Sequence, residues 1–315
     1  MRCFPPSTGK NLRSAAQCFL FFGFLTSCSS SVNPGPGSST NLIWSEEFST
    51  DLDVTTGTLA AGITHQGTWR YNDTWQQTDR GYKDFAGQSW NINPLENGFA
   101  AYNPFNVMGG ILTLSAKRIP AELVTPIANS MAAQGQSGAP NWMGGILITD
   151  AAKIKFKYGY FEFKVRFPIP GKGMFPAIWF FSSEGSQDPL NKGYAEIDLF
   201  EIFGNITAKP WAITLHEKNS AGVGPTLPVL STNDDCIDWH TYAMDWQPQY
   251  LKFYKDNILV ATISGADASF FNTTMAIRLN YSMDATFFGT NVSDNGTPST
   301  LTMQIDYVRV YLTKP

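Results

Sequence analysis

The segment Tyr194–Gly204 constrains the fold more than any other part of the sequence, because it combines an apolar strand pattern with three carboxylates. Side chains alternate between the two faces of a strand, so Glu196 and Asp198 share one face. Unpaired carboxylates are costly to bury, and this face is therefore expected to line a cleft or face water. Glu201 has the wrong parity for that face, and a β-bulge near Leu199–Phe200 would bring it there.

Three acids in one cleft suit the hydrolysis of glycosidic bonds, which needs a nucleophile, an acid/base and a group that tunes the pair. The upstream segment Gly171–Phe181 favours this interpretation, since it places Phe175, Ala177 and Trp179 on one face of another strand. Flat aromatic side chains suit the apolar faces of sugar rings. Two structural alternatives stay open: an antiparallel sheet whose acids face water, and aromatic side chains that only pack in the core.

Short alternating segments follow one another from residue 110 onward and predict β-strands. Residues 50–108 and 217–237 indicate mainly loops, and a helix is indicated only as a turn or two around 120–133. We therefore predict an all-β fold, an antiparallel β-sandwich of the jelly-roll type. The further strand segments are Gly110–Lys117, Gly145–Thr149, Tyr158–Phe167, Trp211–His216, Thr241–Trp246, Tyr250–Tyr254, Ile258–Ile263, Ala276–Tyr281 and Leu301–Tyr311.

The composition favours a folded domain that handles a neutral polymer. Hydrophobic residues make up 43% of the chain and charged residues 15%, which argues for a sizeable core and against disorder. The formal net charge is −4, and we expect no nucleic-acid partner, because an acidic protein repels polyanions. Cys236 is the one cysteine outside the N-terminal region, so a disulfide framework is excluded.

Residues 1–27 have the pattern of a targeting segment. Arg2, Lys10 and Arg13 accompany the apolar stretch Cys18–Leu25, which is too short to span a bilayer. We therefore predict a signal peptide over this range.

The sequence Leu25-Thr-Ser-Cys28 resembles a bacterial lipoprotein box, in which the cysteine becomes the lipidated first residue. This predicts acylation of Cys28, a membrane anchor and a location in the cell envelope; ordinary secretory cleavage, which would give an extracellular protein, stays open as the alternative. Residues 28–40 are rich in Ser, Pro and Gly and indicate a flexible tether. The folded domain is predicted over 41–315.

The segment Glu196-Ile-Asp198-Leu-Phe-Glu201 resembles the bulged E-x-D-x-x-E signature of glycoside hydrolase family 16, which includes laminarinases, lichenases and agarases. The similarity extends over residues 41–315. It implies a concanavalin-like jelly roll with a cleft on the concave face of one sheet, and retaining endo-hydrolysis of a β-linked polysaccharide. Flanking motifs that carry the resemblance are Trp44–Phe48, Tyr158–Glu162, Phe175–Trp179, Trp239–Tyr242, Asp245–Trp246 and Asp306–Tyr311.

The resemblance implies a role for each acid. Glu196 would be the nucleophile, Glu201 the acid/base, and Asp198 the assisting residue that adjusts the ionisation of the nucleophile. Retention requires two carboxyl groups about 5–5.5 Å apart, whereas Cα atoms five residues apart on an ideal strand are separated by about 16 Å. The bulge, strand curvature and two long side chains must close this gap. Three neighbouring acids do not all ionise easily, so one is expected to stay protonated near neutral pH.

Five further residues are candidates for substrate binding. Trp179 and Phe175 match positions where the family uses aromatic side chains as sugar platforms, although the family usually has Trp in place of Phe175. His216 matches a family histidine near the acid/base, and a purely structural role is its alternative. Trp142 and Asn280 are further candidates for the cleft.

No cofactor or metal is expected in catalysis. His65, His216 and His240 lack the spacing of zinc ligands, and His240 is interpreted as structural. The resemblance allows one structural Ca²⁺ away from the cleft, held by backbone carbonyls and Asp306. We expect a polysaccharide as the partner and a monomer as the oligomeric state.

The resemblance favours β-1,3-glucan or mixed β-1,3/1,4-glucan as the substrate. Met143-Gly-Gly-Ile146 stands where many laminarinases have Ser-x-Arg-Ile, a difference that bears on specificity for β-1,3 linkages. Three alternatives stay open: hydrolysis of a galactan or an exopolysaccharide, transglycosylation by the same fold, and a non-catalytic, lectin-like carbohydrate-binding protein.

Overall fold

The structure is a computed structural model and describes residues 41–58, 62–71, 81–83, 88–150, 153–182, 194–204, 210–218, 224–233, 235–284 and 297–315. The predicted signal peptide, Cys28 and the tether lie outside these residues and stay predictions. Residues Thr40–Pro315 form one compact unit. Within the described ranges, no helix combines the length and the apolar character needed to cross a bilayer.

The described residues form mainly β-strands, joined by turns, two α-helices and a short 3₁₀-helix at Ala100–Tyr102. The α-helices are α1 (Ala121–Ala133) and α2 (Ala266–Ser269). The strands are β1 (Leu42–Glu46), β2 (Thr56–Thr58), β3 (Gly62–His65), β4 (Trp69–Tyr71), β5 (Tyr82–Lys83), β6 (Ser89–Asn91), β7 (Phe105–Met108), β8 (Ile111–Arg118), β9 (Trp142–Thr149), β10 (Gly159–Ile169), β11 (Met174–Phe181), β12 (Tyr194–Ile202), β13 (Pro210–Lys218), β14 (Thr226–Asn233), β15 (His240–Gln247), β16 (Tyr250–Lys255), β17 (Ile258–Ser264), β18 (Ala276–Met283) and β19 (Thr300–Tyr311).

Antiparallel pairing arranges most of these strands in two sheets. The outer sheet runs β7–β8–β19–β10–β15–β16–β17, and β1 joins it along the second half of β19. The inner sheet runs β4–β9–β18–β11–β12–β13–β14. Strand β9 takes part in both, because its start pairs with β8 and its end with β18. The predicted all-β antiparallel sandwich is thus confirmed.

Aromatic side chains from facing strands pack the sheets against each other. Phe161 of β10 meets Phe180 of β11 with ring centroids 4.9 Å apart. Phe167 stacks on Phe200 at 5.4 Å, and Tyr242 contacts Phe200 at 4.5 Å. All five side chains are fully buried, and burying one such ring stabilises the fold by about 1.5–3 kcal/mol. One apolar face of each sheet therefore packs in the core, and the other face of the inner sheet points away from it.

Two of the flanking motifs join the first and last strands of the domain. Strand β1 pairs with the end of β19, and the Arg309 guanidinium donates two hydrogen bonds to the Glu47 carboxylate at 2.9 and 2.8 Å. The indole N–H of Trp69 donates to Glu46 Oε2 at 3.1 Å. These motif residues therefore hold the scaffold together, and they lie in the sheet opposite the acidic strand.

The structure corrects two predictions of secondary structure. The helix predicted as a turn or two is the longer α1, whose Leu123, Ile127 and Met131 are buried at four-residue intervals. This packing outweighs Pro126 inside the helix, which removes a backbone donor. The segment 217–237, predicted as a loop, contains the edge strand β14, where Pro228 is unusual inside a strand and most side chains are exposed. A tight turn with positive φ at Asp256 and Asn257 joins β16 to β17.

Candidate active site

Strand β12 contains a β-bulge at the predicted place. Along the β11 ladder, Ile178 pairs with Phe200 and Trp179 pairs with Asp198, so Leu199 has no cross-strand partner. The ladder with β13 is irregular over the same stretch. Leu199 and Phe200 are both buried in the core, which they can share only because the bulge interrupts the alternation of the strand.

The register places all three acids on the face of the inner sheet that points away from the core, here called the cleft face. Residues directly opposite each other in an antiparallel pair share a face. The acids therefore define three cross-strand rows, named after them. The Glu196 row is Ala276, Phe181, Glu196 and His216; the Asp198 row is Ile148, Arg278, Trp179, Asp198 and Thr214; the Glu201 row is Ile146, Asn280, Ala177, Glu201 and Ala212.

The three acids differ in their access to solvent. The side chain of Glu196 is 20% exposed, whereas that of Asp198 is only 4% exposed. Glu201 is half-buried. A ligand on the cleft face can therefore reach both glutamates, while Asp198 lies between them as a buried neighbour.

Burial and mutual repulsion raise the pKa of every acid in this group. Desolvation, followed by the charge of Asp198, raises the pKa of Glu196 to about 8. Desolvation raises the pKa of Glu201 to about 7, although a hydrogen bond with Thr214 opposes the shift. Desolvation and then Glu201 raise the pKa of Asp198 well above its ordinary value. The cluster therefore holds at least one proton at neutral pH, as general acid catalysis requires.

His216 joins the acids to the neighbouring strands. Its Nε2 lies 3.1 Å from Asp198 Oδ2 and 3.9 Å from Glu196 Oε1. Its Nδ1 lies 3.0 Å from the Thr226 hydroxyl on β14. The tautomer in which the Thr226 hydroxyl donates to Nδ1 leaves the ring proton on Nε2, the nitrogen near Asp198. His216 thus contacts Asp198 and Glu196, whereas the expectation placed it near the acid/base Glu201.

Of the two predicted aromatic platforms, Trp179 offers more surface to a sugar than Phe175. The Trp179 ring is half-buried, and its indole N–H donates to Asn280 Oδ1 at 2.7 Å. Phe175 is on the same face but only 6% exposed, with its ring stacked on Phe203 at 5.6 Å. Asn280 on β18 is 8% exposed, and its hydrogen bond with the indole N–H fixes the orientation of the Trp179 ring.

The expectation that Trp142 lines the cleft is wrong. Its side chain is fully buried in the core, and the Arg118 guanidinium lies 4.6 Å from its ring centroid. Trp142 belongs to the part of β9 that pairs with β8 of the outer sheet, so its surroundings differ from those of the β9 residues beside β18. His240 forms an ion pair with Asp256 at 2.7 Å on the outer sheet, consistent with its structural interpretation.

Sequence reasoning missed Arg278 and Thr214. Arg278 is fully buried, and its guanidinium carbon lies 5.0 Å from the ring centroid of Trp179 and 4.8 Å from that of Phe181. The alternation of β18 could have indicated it, because Arg278 shares a face with the predicted Asn280.

The structural Ca²⁺ that the resemblance allows stays a prediction. The carboxylate of Asp306, the side chain proposed as a ligand, lies 2.7 Å from the Lys164 ammonium. Potential ligand atoms of Glu196, Asp198 and His216 do lie within 4.8 Å of one another. This group coincides with the acidic cluster described above and is not the distant structural site that was expected.

Comparison with known proteins agrees with this site. The sequence profile of Glycosyl hydrolases family 16 matches residues 112–309, which include all three acids. The endo-1,3-1,4-beta-glycanase ExsH of Rhizobium meliloti (strain 1021) is 28% identical over 270 residues, 85% of this chain and 51% of that protein. The keratan-sulfate endo-1,4-beta-galactosidase of Sphingobacterium multivorum is 25% identical over 259 residues, 81% of this chain and 58% of that protein. The chain thus spans about half the length of the curated relatives it matches.

The fold also resembles that of a solved structure. The laminarinase catalytic domain from Thermotoga maritima MSB8 superposes with a TM-score of 0.61 at 19% identity, covering 87% of this chain and 98% of that one. The profile match extends over more than half of the chain and contains the bulged acidic strand. The chain therefore belongs to glycosyl hydrolases family 16.

Proposed function

We propose that this protein is a retaining endo-β-glycanase that hydrolyses β-1,3-glucan or mixed β-1,3/1,4-glucan. The observation that carries the proposal is the register of β12, which brings Glu196, Asp198 and Glu201 to one face through the bulge at Leu199. The relative ExsH, named as an endo-1,3-1,4-beta-glycanase, supports the linkage. Membership of the family supports the reaction class.

In the proposed mechanism, the Glu196 carboxylate attacks the anomeric carbon and forms a covalent glycosyl-enzyme intermediate. Glu201 protonates the departing glycosidic oxygen and then takes a proton from the water that hydrolyses the intermediate. Because Leu199 has no ladder partner, the Cα atoms of the two glutamates are four strand steps apart, or about 13 Å. Their side chains must lean toward each other to reach the retaining separation of about 5–5.5 Å.

Asp198 and His216 support this chemistry from the middle of the cluster. Asp198 shares a hydrogen bond with Glu196 that raises the pKa of Glu196 and lowers that of Asp198, and transfer of the shared proton to Asp198 would leave Glu196 ionised for the attack. His216 lies within reach of both carboxylates. Trp179, oriented by Asn280, is the proposed sugar platform, and Phe175 contributes the smaller part of its ring that is exposed.

The direct test is the release of reducing ends from laminarin, lichenan and agarose by the purified protein. We expect hydrolysis of laminarin or lichenan, with β-configured products at first by NMR, and a loss of at least about 10³-fold in Glu196→Gln and Glu201→Gln. Glu122→Gln on α1 is the matched control, since Glu122 lies outside the three rows. If the wild type binds these glycans and cleaves none of them, the protein is a lectin-like binder.

A galactan is the second candidate substrate. The keratan-sulfate endo-1,4-beta-galactosidase of Sphingobacterium multivorum supports it, since that relative matches 81% of this chain. Exclusive cleavage in the agarose arm, or in an added keratan sulfate arm, would favour this candidate over the glucans. Lengthening of product chains when acceptor oligosaccharides are added would identify transglycosylation by the same acids.

We also propose that the protein is lipid-anchored in the cell envelope through Cys28. The basic start, the short apolar stretch and the Leu25–Cys28 box support this. In a bacterial host with a lipoprotein pathway, labelled palmitate should enter the wild type and Cys236→Ser but not Cys28→Ser, which should appear in the soluble fraction. An unlabelled wild type found in the medium would instead indicate ordinary secretory cleavage.

A further inference from the structure

Arg278 is a charged side chain for which the mechanism above has no role. It lies on β18 in the Asp198 row, between Ile148 and Trp179, and it is fully buried. Burying a guanidinium is costly unless nearby groups compensate for its lost hydration. Because Arg278 lies in this row despite the cost of burying its charge, we expect it to have a function on the cleft face.

Arg278 contacts two of the aromatic side chains that β11 places on the cleft face. Its guanidinium carbon lies over the Trp179 ring at 5.0 Å and over the Phe181 ring at 4.8 Å. Its Nη1 also donates a long hydrogen bond of 3.5 Å to the Phe181 carbonyl oxygen. Cation–π contacts of this kind are stronger when the cation is desolvated. Arg278 and Asn280 therefore hold Trp179 together, one at its ring face and the other at its N–H.

Arg278 also acts on the neighbouring row. Phe181, whose ring it covers, is the direct cross-strand partner of Glu196. The ionisable groups that face Glu196 are Tyr194, Asp198 and Glu201 on its own strand, His216 on β13 and Arg278 on β18; strand β11 contains no ionisable side chain. A histidine can lose its charge, whereas an arginine keeps it throughout the working pH range.

We propose, on the basis of the proposed function, that Arg278 is a positioning residue of the active site. It fixes the orientation of the Trp179 platform and supplies a permanent buried positive charge that favours the ionised, nucleophilic form of Glu196. Desolvation and Asp198 raise the pKa of Glu196, and His216 and Arg278 oppose this rise. The same guanidinium thus links sugar binding in the Asp198 row to charge in the Glu196 row.

Two substitutions separate these effects. Arg278→Lys keeps the charge and most of the stem but loses the flat guanidinium, so we expect KM for laminarin to rise about fivefold with the acid limb of the kcat/KM profile near its wild-type pH. Arg278→Met removes the charge, so this acid limb should move to higher pH by about 0.5–1 pH unit. Arg166→Met, which removes a half-buried arginine that donates to Gln304 on the outer sheet, is the control and should leave the limb in place.

A readout without catalysis keeps the inference independent of the substrate. The carboxyl ¹³C resonance of Glu196, assigned with Glu196→Gln, should titrate at higher pH in Arg278→Met than in the wild type and at nearly the wild-type pH in Arg278→Lys. If Arg278→Met does not fold, Arg278→Gln takes its place in both measurements. An unchanged acid limb, an unchanged titration and an unchanged KM would overturn the proposal and leave Arg278 a packing residue. A wild type that cleaves no glycan but shows the expected NMR shift would overturn the proposed function alone.

Discussion

The Glu196 side chain is only 20% exposed and lies next to another acid, and both conditions disfavour its ionised form. Its nearest ionisable neighbours are an acid with almost no exposure, Asp198, and the half-buried His216. The folded state therefore keeps protons that an unfolded chain would release at neutral pH. We expect the acids to cost the protein stability in return for a proton that catalysis uses.

This cost predicts how stability depends on pH. The pKa of Glu196 is about 8 in the folded protein and about 4.5 in the unfolded chain. The folded state binds the extra proton, so the free energy of unfolding should fall as pH rises from about 4.5 to about 8. Glu196→Gln should remove this loss. At pH 8 its free energy of unfolding should exceed that of the wild type by about 2–4 kcal/mol, and at pH 4.5 the difference should be smaller.

The comparison requires urea unfolding of both proteins at the two pH values. Glu122→Gln, at a position exposed on α1, should follow the wild-type dependence. A Glu196→Gln variant that is less stable than the wild type at pH 8 would contradict the interpretation that ionised Glu196 destabilises the folded state.

Trp179 and Trp142 provide a second contrast between single residues. Trp179→Ala removes a half-buried ring on the cleft face and should raise KM about 5- to 100-fold with a smaller change in stability. Trp142→Ala removes a fully buried ring and should lower the free energy of unfolding by about 3–5 kcal/mol, with KM close to that of the wild type at low temperature. Michaelis kinetics and urea unfolding on both variants check the assignment, which fails if Trp142→Ala changes KM as strongly as Trp179→Ala.

At the scale of the element, the bulge in β12 predicts different outcomes for a deletion and for an insertion in the strand. Deleting Leu199 removes the residue without a ladder partner, so Glu201 stays on the cleft face and the strand becomes regular. Inserting one alanine between Phe200 and Glu201 turns Glu201 toward the core. We expect the deletion variant to be less stable but within about 100-fold of wild-type activity, and the insertion variant to lose at least about 10³-fold.

Leu199→Ala, which keeps the bulge and only creates a cavity, is the control and should retain most of its activity at low temperature while losing about 2–5 kcal/mol of stability. For the three variants, laminarin hydrolysis at low temperature shows whether Glu201 still lies on the cleft face, and circular dichroism shows whether the protein is folded. An inactive, folded deletion variant together with an active insertion variant would reverse our interpretation of the register.

The same element shows why some features could be predicted from the sequence. The parity of Glu196 and Asp198, and the need for a bulge before Glu201, are local properties of one strand. The position of Trp142 is not local, because β9 changes sheets within its length and the alternation alone does not say where. Strand β14 has few buried positions to reveal it. The environment of Arg278 comes from β11, which is distant in sequence, so its contact with Trp179 required the fold.

At the scale of the whole molecule, the sandwich separates structural and chemical duties between two sheets. The outer sheet contains the aromatic core partners Phe161, Phe167 and Tyr242, and the inner sheet carries the acids on its opposite face. The predicted sandwich followed from many alternating segments and did not depend on any one of them. This redundancy explains why the fold class was predictable even though α1 and β14 were not.

The pairing of β1 with the end of β19 brings the two ends of the domain into contact, and the Asn41 side chain donates a hydrogen bond to the Thr313 carbonyl at 2.8 Å. A short glycine-rich peptide could therefore join them, and new termini could be opened at the exposed hairpin tip Asp256–Asn257. Such a circular permutant would enter and leave the domain on the outer sheet at a site remote in the ladder from β12. It should keep the proposed glycosidase activity while presenting a fused partner from the outer sheet.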